Sequence, residues 1–210
     1  SLVTDDLKYK IDAAVEAGVD FYFGGTLFEK FLAQGRFDDW RRFCDHFGAR
    51  CVEVSNGTIA LSNERKAEYV ARLAGEYRVF SEVGYKDSDR SETMRPQLWI
   101  DYIGQDLAAG AHRVITEARE SGRSGICRPN GELRVGLIEE IAESGLDLTR
   151  VMFEAPNRSL QTHLIRRFGS DVSLGNISPA DVVGLETLRL GLRSDTFDAF
   201  DTAADGASDA

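Results

Sequence analysis

The chain has few lysines, few cysteines and no long apolar run, and each scarcity excludes something. Nowhere in its 210 residues does an apolar stretch reach about 18 residues, so a membrane-spanning helix is not expected. The three cysteines, Cys44, Cys51 and Cys127, make neither a CxxC pair nor an even-numbered framework, which argues against a disulfide scaffold. Cys44 falls on an apolar helical stripe and Cys51 opens a strand, so both read as core residues; Cys127, just past a turn, lies nearer a candidate site. Only 5 lysines stand beside 20 arginines and 19 aspartates, and the formal charge of -10 argues against nucleic acid as the main partner, since phosphate binding needs a basic stripe. The opening SLVTDDLKYK lacks the basic-then-apolar order of a signal peptide, and with this cysteine usage the expected compartment is a reducing cytoplasm.

What is present is alternation. Short apolar runs rich in β-branched and aromatic residues occur at VDFYFGG (19–25), RCVEVSNGT (50–58), RVFSEVG (78–84), HRVITEA (112–118), RVMFEAP (150–156) and DVSLGNI (171–177). Each ends in Gly, Pro, Asn or a charge, as buried parallel strands do. Between them the apolar period changes to that of a helix: Trp40, Phe43, Cys44 and Phe47; Trp99, Ile100, Ile103 and Leu107; Leu133, Leu137, Ile138 and Ile141; Leu160, Leu164, Ile165 and Phe168. Gly18, Gly48, Gly110, Gly145 and Gly169 supply helix stops before the next strand. The reading is one domain over residues 1–202 and a disordered acidic tail over 203–210. Strict strand–helix alternation predicts an α/β fold with a parallel sheet, either doubly wound or closed as a barrel.

The ends of the runs favour the barrel. Residues 114–122, VITEARESG, run from a buried strand straight into Glu117, Arg119 and Glu120. Polar residues recur at the same end of the other strands: Gly24, Gly25 and Thr26; Glu53, Ser55 and Asn56; Glu82 and Lys86; Glu154; and Gly175 with Asn176. A doubly wound sheet concentrates such groups at one switch point, whereas a (β/α)₈ barrel brings every strand end to one mouth. Side chains alternate along a strand, so Glu53 with Ser55, and Glu117 with Arg119, share a face. Carboxylates among Val, Ile and Phe are costly unless paired, protonated or bound to a cation, and Lys86 and Arg119 answer part of that demand. Acidic groups favour Mg²⁺, while the two basic residues favour an anionic substrate. The turns GGT (24–26) and LGNISP (174–179) each lead into a helix, whose N-terminal amides suit a phosphate. Each piece alone has a plain structural explanation, and the run ERK (64–66) reads as a solvated helix face.

Taken together, FGGTLFE (23–29), EVSNGTI (53–59), SEVGYKD (81–87), ITEARESGRSGIC (115–127), FEAPN (153–157) and LGNISPADVVGLETLRLGLRSDT (174–196) resemble the phosphosulfolactate synthase family. That resemblance implies a (β/α)₈ barrel that adds sulfite to phosphoenolpyruvate with Mg²⁺, giving (2R)-phospho-3-sulfolactate, the step that opens coenzyme M biosynthesis in methanogens. It implies Glu53, Glu82, Glu117 and Glu154 as the metal set, and Lys86, Arg119 and Glu120 as the catalytic set. Lys86 would be the general acid, its pKa lowered by nearby cations, and Arg119 would hold the substrate carboxylate or sulfite. Phosphate would sit among Gly24, Gly25, Thr26, Ser55, Asn56, Gly175 and Asn176. Family members begin with two further strands, bearing D-K-G and K-x-G-W-G-T-S motifs, which this chain lacks. The expectation is therefore six visible strands of an eight-stranded barrel. The family is also similar to plant heat-stress-associated proteins, so a non-catalytic barrel, or an enzyme acting on another phosphorylated three-carbon acid, is the alternative. A homo-oligomer is the assembly left open.

Overall fold

Apolar runs with a two-residue period become strands where a neighbouring strand takes up their backbone groups, and the computed structural model, which describes residues 3–200, shows five. They are β1 (Cys51–Val54), β2 (Arg78–Val83), β3 (Arg113–Thr116), β4 (Val151–Glu154) and β5 (Leu174–Gly175). All pair in parallel in the order β1-β2-β3-β4-β5, so the order never reverses and there is no switch point.

The sixth expected strand, at 19–25, does not form. Phe21 and Phe23 face the core, Phe23 against Phe43 and Phe47, while Tyr22 between them stacks on Phe80 of β2 with ring centroids 5.2 Å apart. The side chains thus alternate as in a strand. The main chain, however, joins no ladder, and where it reaches β1 the Gly25 N–H donates to the Glu53 carboxylate at 2.6 Å. Alternation reports which side is buried, not whether backbone amides find a partner strand. Asp20 accepts from Arg50 and Arg78, tying this segment to the starts of β1 and β2.

The helices are α1 (Asp5–Glu16), α2 (Gly25–Ala33), α3 (Phe37–His46), α4 (Asn63–Leu73), α5 (Ser88–Thr93), α6 (Pro96–Ala108), α7 (Val135–Glu143), α8 (Arg158–Phe168) and α9 (Val182–Arg189). Their starts carry the expected chemistry: Thr4, Ser62, Asp87 and Asn157 each cap a helix through the side chain, and Pro96 opens α6. The five stop glycines follow helix ends, all with positive φ. The predicted stripes are buried or half-buried, with Trp40, Trp99, Ile103, Ile138, Ile141 and Leu164 wholly enclosed.

One face of the sheet, Val52, Val54, Val79, Val83, Val114, Val151 and Phe153, forms the core with helix residues such as Val70, Leu73, Trp99 and Ile103. The alternate positions, Glu53, Phe80, Glu82, Ile115, Met152 and Glu154, face the other way. The run ERK is a solvated face only in part: Glu64 and Arg65 are exposed, but Lys66 is fully buried and paired with Asp106 of α6 at 2.7 Å. Among the described residues no helix is long and apolar enough to cross a membrane. The tail expected to be disordered, 203–210, lies outside the described residues.

Candidate active site

The strand ends converge. Gly24, Gly25, Thr26, Glu53, Glu82, Lys86, Glu117, Arg119, Glu120, Glu154 and Asn176, all singled out from sequence, line one cleft of about 580 Å³ with Tyr22 and Ser121. Another cavity of about 650 Å³, against Met152, Phe153 and Phe168, lacks the convergent carboxylates, so the chemistry belongs to the first.

Three predicted residues lie elsewhere. Ser55 is buried and donates to Glu29, Asn56 donates to the Leu61 carbonyl, and the Gly175 carbonyl accepts from Ala155 within the β4–β5 pairing. Cys127 is buried outside the cleft lining, with its thiol pushed up to about 11 by burial and then by Glu154.

Four glutamates are held at graded degrees of engagement. Glu53 Oε1 accepts the Gly25 amide at 2.6 Å. Glu154 Oε2 accepts the Ala118 and Arg119 amides at 2.7 and 3.1 Å. Glu117 Oε1 accepts the Arg119 amide at 2.6 Å, but its Oε2, like Oε1 of Glu82, is buried without a hydrogen-bond partner. Lys86 Nζ stands 3.8 Å from both of those oxygens and donates to Thr26 Oγ1 at 3.2 Å. One ammonium thus serves two otherwise unengaged carboxylate oxygens.

Burial leads every carboxyl shift here. It raises Glu53 to about 7, against the Gly25 amide and Lys86, which pull the other way. It raises Glu154 to about 7, helped by Glu117, and it raises Glu82 well above the ordinary range, helped by Glu117 and Glu53. Burial alone would lower Lys86, but Glu82, Glu117 and Glu53 outweigh it and hold the ammonium above its usual range. The expected lowering of the Lys86 pKa is therefore reversed, because carboxylates rather than cations surround it. Burial, then Glu53, Glu154 and Glu82, also raises the Tyr22 phenol, which stays protonated.

Backbone geometry holds the groups this close. Arg119 adopts φ 56°, and that turn points its amide at two carboxylates while its guanidinium reaches the Lys86 carbonyl at 3.2 Å. Asn176, also in the cleft lining, adopts φ 54°. A side chain at Gly25 would collide with Ser55 Oγ and the Glu53 carboxylate, and one at Gly84 would meet Glu117 and Trp99 at 2.7 Å, so the chain can pass at both points only as glycine.

Sequence reasoning missed two buried ions. Glu29 of α2 accepts from Ser55 Oγ and from the amides of Gly57, Thr58 and Ile59, so all its lone pairs fix the loop after β1. Gly57 in turn lies against Lys86, whose amide donates to its carbonyl at 3.4 Å. Lys66 is the other, and helical spacing carried a signal: Lys66, Val70 and Leu73 fall at i, i+4 and i+7, on the buried stripe of α4.

The profile of the family described as (2R)-phospho-3-sulfolactate synthase (ComA) matches residues 1–195. The chain belongs to the phosphosulfolactate synthase family. It is 47% identical over 197 residues to the phosphosulfolactate synthase of Bacillus subtilis (strain 168), covering 94% of this chain and 78% of that one. It is 38% identical over 195 residues to the phosphosulfolactate synthase of Methanocaldococcus jannaschii, covering 92% and 77%. A more distant likeness, 24% over 206 residues, is to Protein HEAT-STRESS-ASSOCIATED 32 of Arabidopsis thaliana, covering 87% and 69%. The family's members are enzymes of the lyase or synthase type, and the carboxylate–lysine cleft is where this chain keeps ionisable groups together.

Proposed function

We propose that the cleft adds sulfite to the methylene carbon of phosphoenolpyruvate and protonates the adjacent carbon, giving (2R)-phospho-3-sulfolactate. The observation that carries this reading is Lys86, held between the unengaged oxygens of Glu82 and Glu117. As sulfite forms the new C–S bond, the electron pair of the double bond moves toward the carboxylate, and that charge needs a cation and a proton. Lys86 is protonated at neutral pH and supplies the proton. Arg119 takes an anionic group bidentately, Glu120 at the rim orders it, and Gly24, Gly25 and Thr26 at the start of α2 receive the phosphate with Asn176. Ser55, Asn56 and Gly175 then act by shaping the loops rather than by touching substrate.

Mg²⁺ fits this donor set. Among the described residues no three His, Cys, Asp or Glu side chains form a ready-made metal cage. Mg²⁺, however, commonly takes one or two carboxylates and completes its shell with water and substrate oxygens, and the free oxygens of Glu82 and Glu117 match that habit, with Glu154 and Glu53 beside them. When bound, the ion supplies the positive charge that stabilises the developing dianionic carboxylate.

We also read the five parallel strands as part of a (β/α)₈ barrel, supported by their unreversed order and the single rim of carboxylates. The reading includes a cytoplasmic enzyme, in keeping with its free, buried cysteines, and a homo-oligomer, in keeping with exposed Val183, Leu192 and Phe197. The reaction is tested by ³¹P NMR on protein supplied with phosphoenolpyruvate, sulfite and Mg²⁺. A new phosphate ester that requires both sulfite and Mg²⁺ is expected; a folded protein that consumes no phosphoenolpyruvate contradicts the proposal.

A further inference from the structure

Behind the cleft lies an ion pair that the chemistry does not touch. Lys66 of α4 and Asp106 of α6 are both wholly enclosed, 2.7 Å apart. The pair reaches two consecutive residues of β2. Lys66 Nζ donates to the Glu82 carbonyl at 2.6 Å, and Asp106 Oδ2 accepts the Ser81 hydroxyl at 2.6 Å. Asp106 Oδ1 accepts from Asn63 Nδ2 at 3.2 Å, so α4 holds both oxygens of the carboxylate, and the same Asn63 amide donates to Gln105 of α6 at 2.7 Å.

Its location is specific. Pairing between β1 and β2 ends at Val54 with Ser81, so Glu82 sits one residue past the last β1 partner. Lys66 supplies a donor to its carbonyl at that point. The Glu82 side chain points the opposite way, into the cleft, with one oxygen free of hydrogen bonds and facing Lys86. A carboxylate so loosely held by its own contacts depends on its main chain for its position. Helix packing alone does not require this arrangement, because well-packed apolar residues commonly replace a buried ion pair without loss of stability.

We propose that Lys66 and Asp106 are positioning residues of the cleft, clamping Ser81 and Glu82 of β2 from behind so that the Glu82 carboxylate stays opposite Lys86 and Glu117. The proposal rests on the reading of Glu82 as a working carboxylate of the site.

The test is the neutral double variant Lys66→Met with Asp106→Asn, which removes both charges together and leaves an acceptor for Ser81. Amide hydrogen exchange, thermal unfolding and ester formation are measured on the parent and the variant. The expected result is a Tm within a few degrees of the parent and exchange at least tenfold faster at Ser81–Gly84, with β3 and β4 unchanged. kcat should fall at least tenfold while KM for phosphoenolpyruvate changes little, since the phosphate-holding turn is elsewhere. A folded variant with parental exchange at Ser81–Gly84 and parental kcat overturns the proposal. So does loss of exchange protection spread evenly over the sheet, which would mark the pair as general packing. A parent that makes no ester overturns the assigned reaction, while the exchange pattern still decides the clamp.

Discussion

At the scale of the residue, the cleft is a problem of unbalanced charge: four buried carboxyls share one lysine. The raised pKa values of Glu53, Glu82 and Glu154 mean that the folded protein keeps protons which the unfolded chain releases near pH 4.5. Between roughly pH 4.5 and 7 the native state binds more protons, so stability falls as pH rises through that window. With metal chelated, Tm by differential scanning calorimetry should be at least about 3 °C lower at pH 8 than at pH 5. Glu82→Gln should flatten that decline, because it removes the carboxyl with a free buried oxygen; an unchanged slope would contradict the charge assignment. Most of the strand-end residues that gather at the cleft were legible in sequence from their recurrence at one end of the strands, but two-residue spacing misplaced Ser55, whose hydroxyl turns to Glu29 beyond the end of β1. The direction of the Lys86 shift was not, since it depends on which of its neighbours come closest in space.

At the scale of the element, α4 and the 19–24 segment show where one-dimensional patterns fail. ERK looked solvated because charged residues usually are, yet the helical stripe through Val70 and Leu73 placed Lys66 inward, and only the facing Asp106 explains how it can be there. Lys66→Ala or Asp106→Ala alone strands a buried charge and should cost about 3–5 kcal/mol in denaturant unfolding. The neutral double replacement should cost far less, and equal losses would count against a paired interior. In the 19–24 segment the alternation of Phe21, Tyr22 and Phe23 reads correctly as burial but wrongly as a ladder. Its end is fixed by Gly25, where a methyl group would strike Ser55 and the Glu53 carboxylate. Gly25→Ala should therefore lower kcat/KM for phosphoenolpyruvate by about tenfold, or roughly 1.4 kcal/mol of transition-state binding. Wild-type kinetics in that variant would show that the turn is looser than its contacts imply.

At the scale of the whole molecule, a sheet of sequential parallel strands turns scattered short motifs into one rim, and that is why the motifs could be read jointly and not singly. The alternation of strands and helices followed from period and stop signals, and the unreversed strand order from the polar residues at one end of the strands. Strand number did not, because ladder formation needs a partner that periodicity cannot see. The central claim is that Lys86, between Glu82 and Glu117, delivers the proton that completes the addition. The most direct measurement compares the parent with Lys86→Ala, both shown folded by circular dichroism, in the sulfite-dependent formation of the phosphate ester. The account predicts a loss of about 10²–10⁴ in kcat with the ester still requiring sulfite in the parent. A Lys86→Ala protein that makes the ester at the parental rate would contradict it.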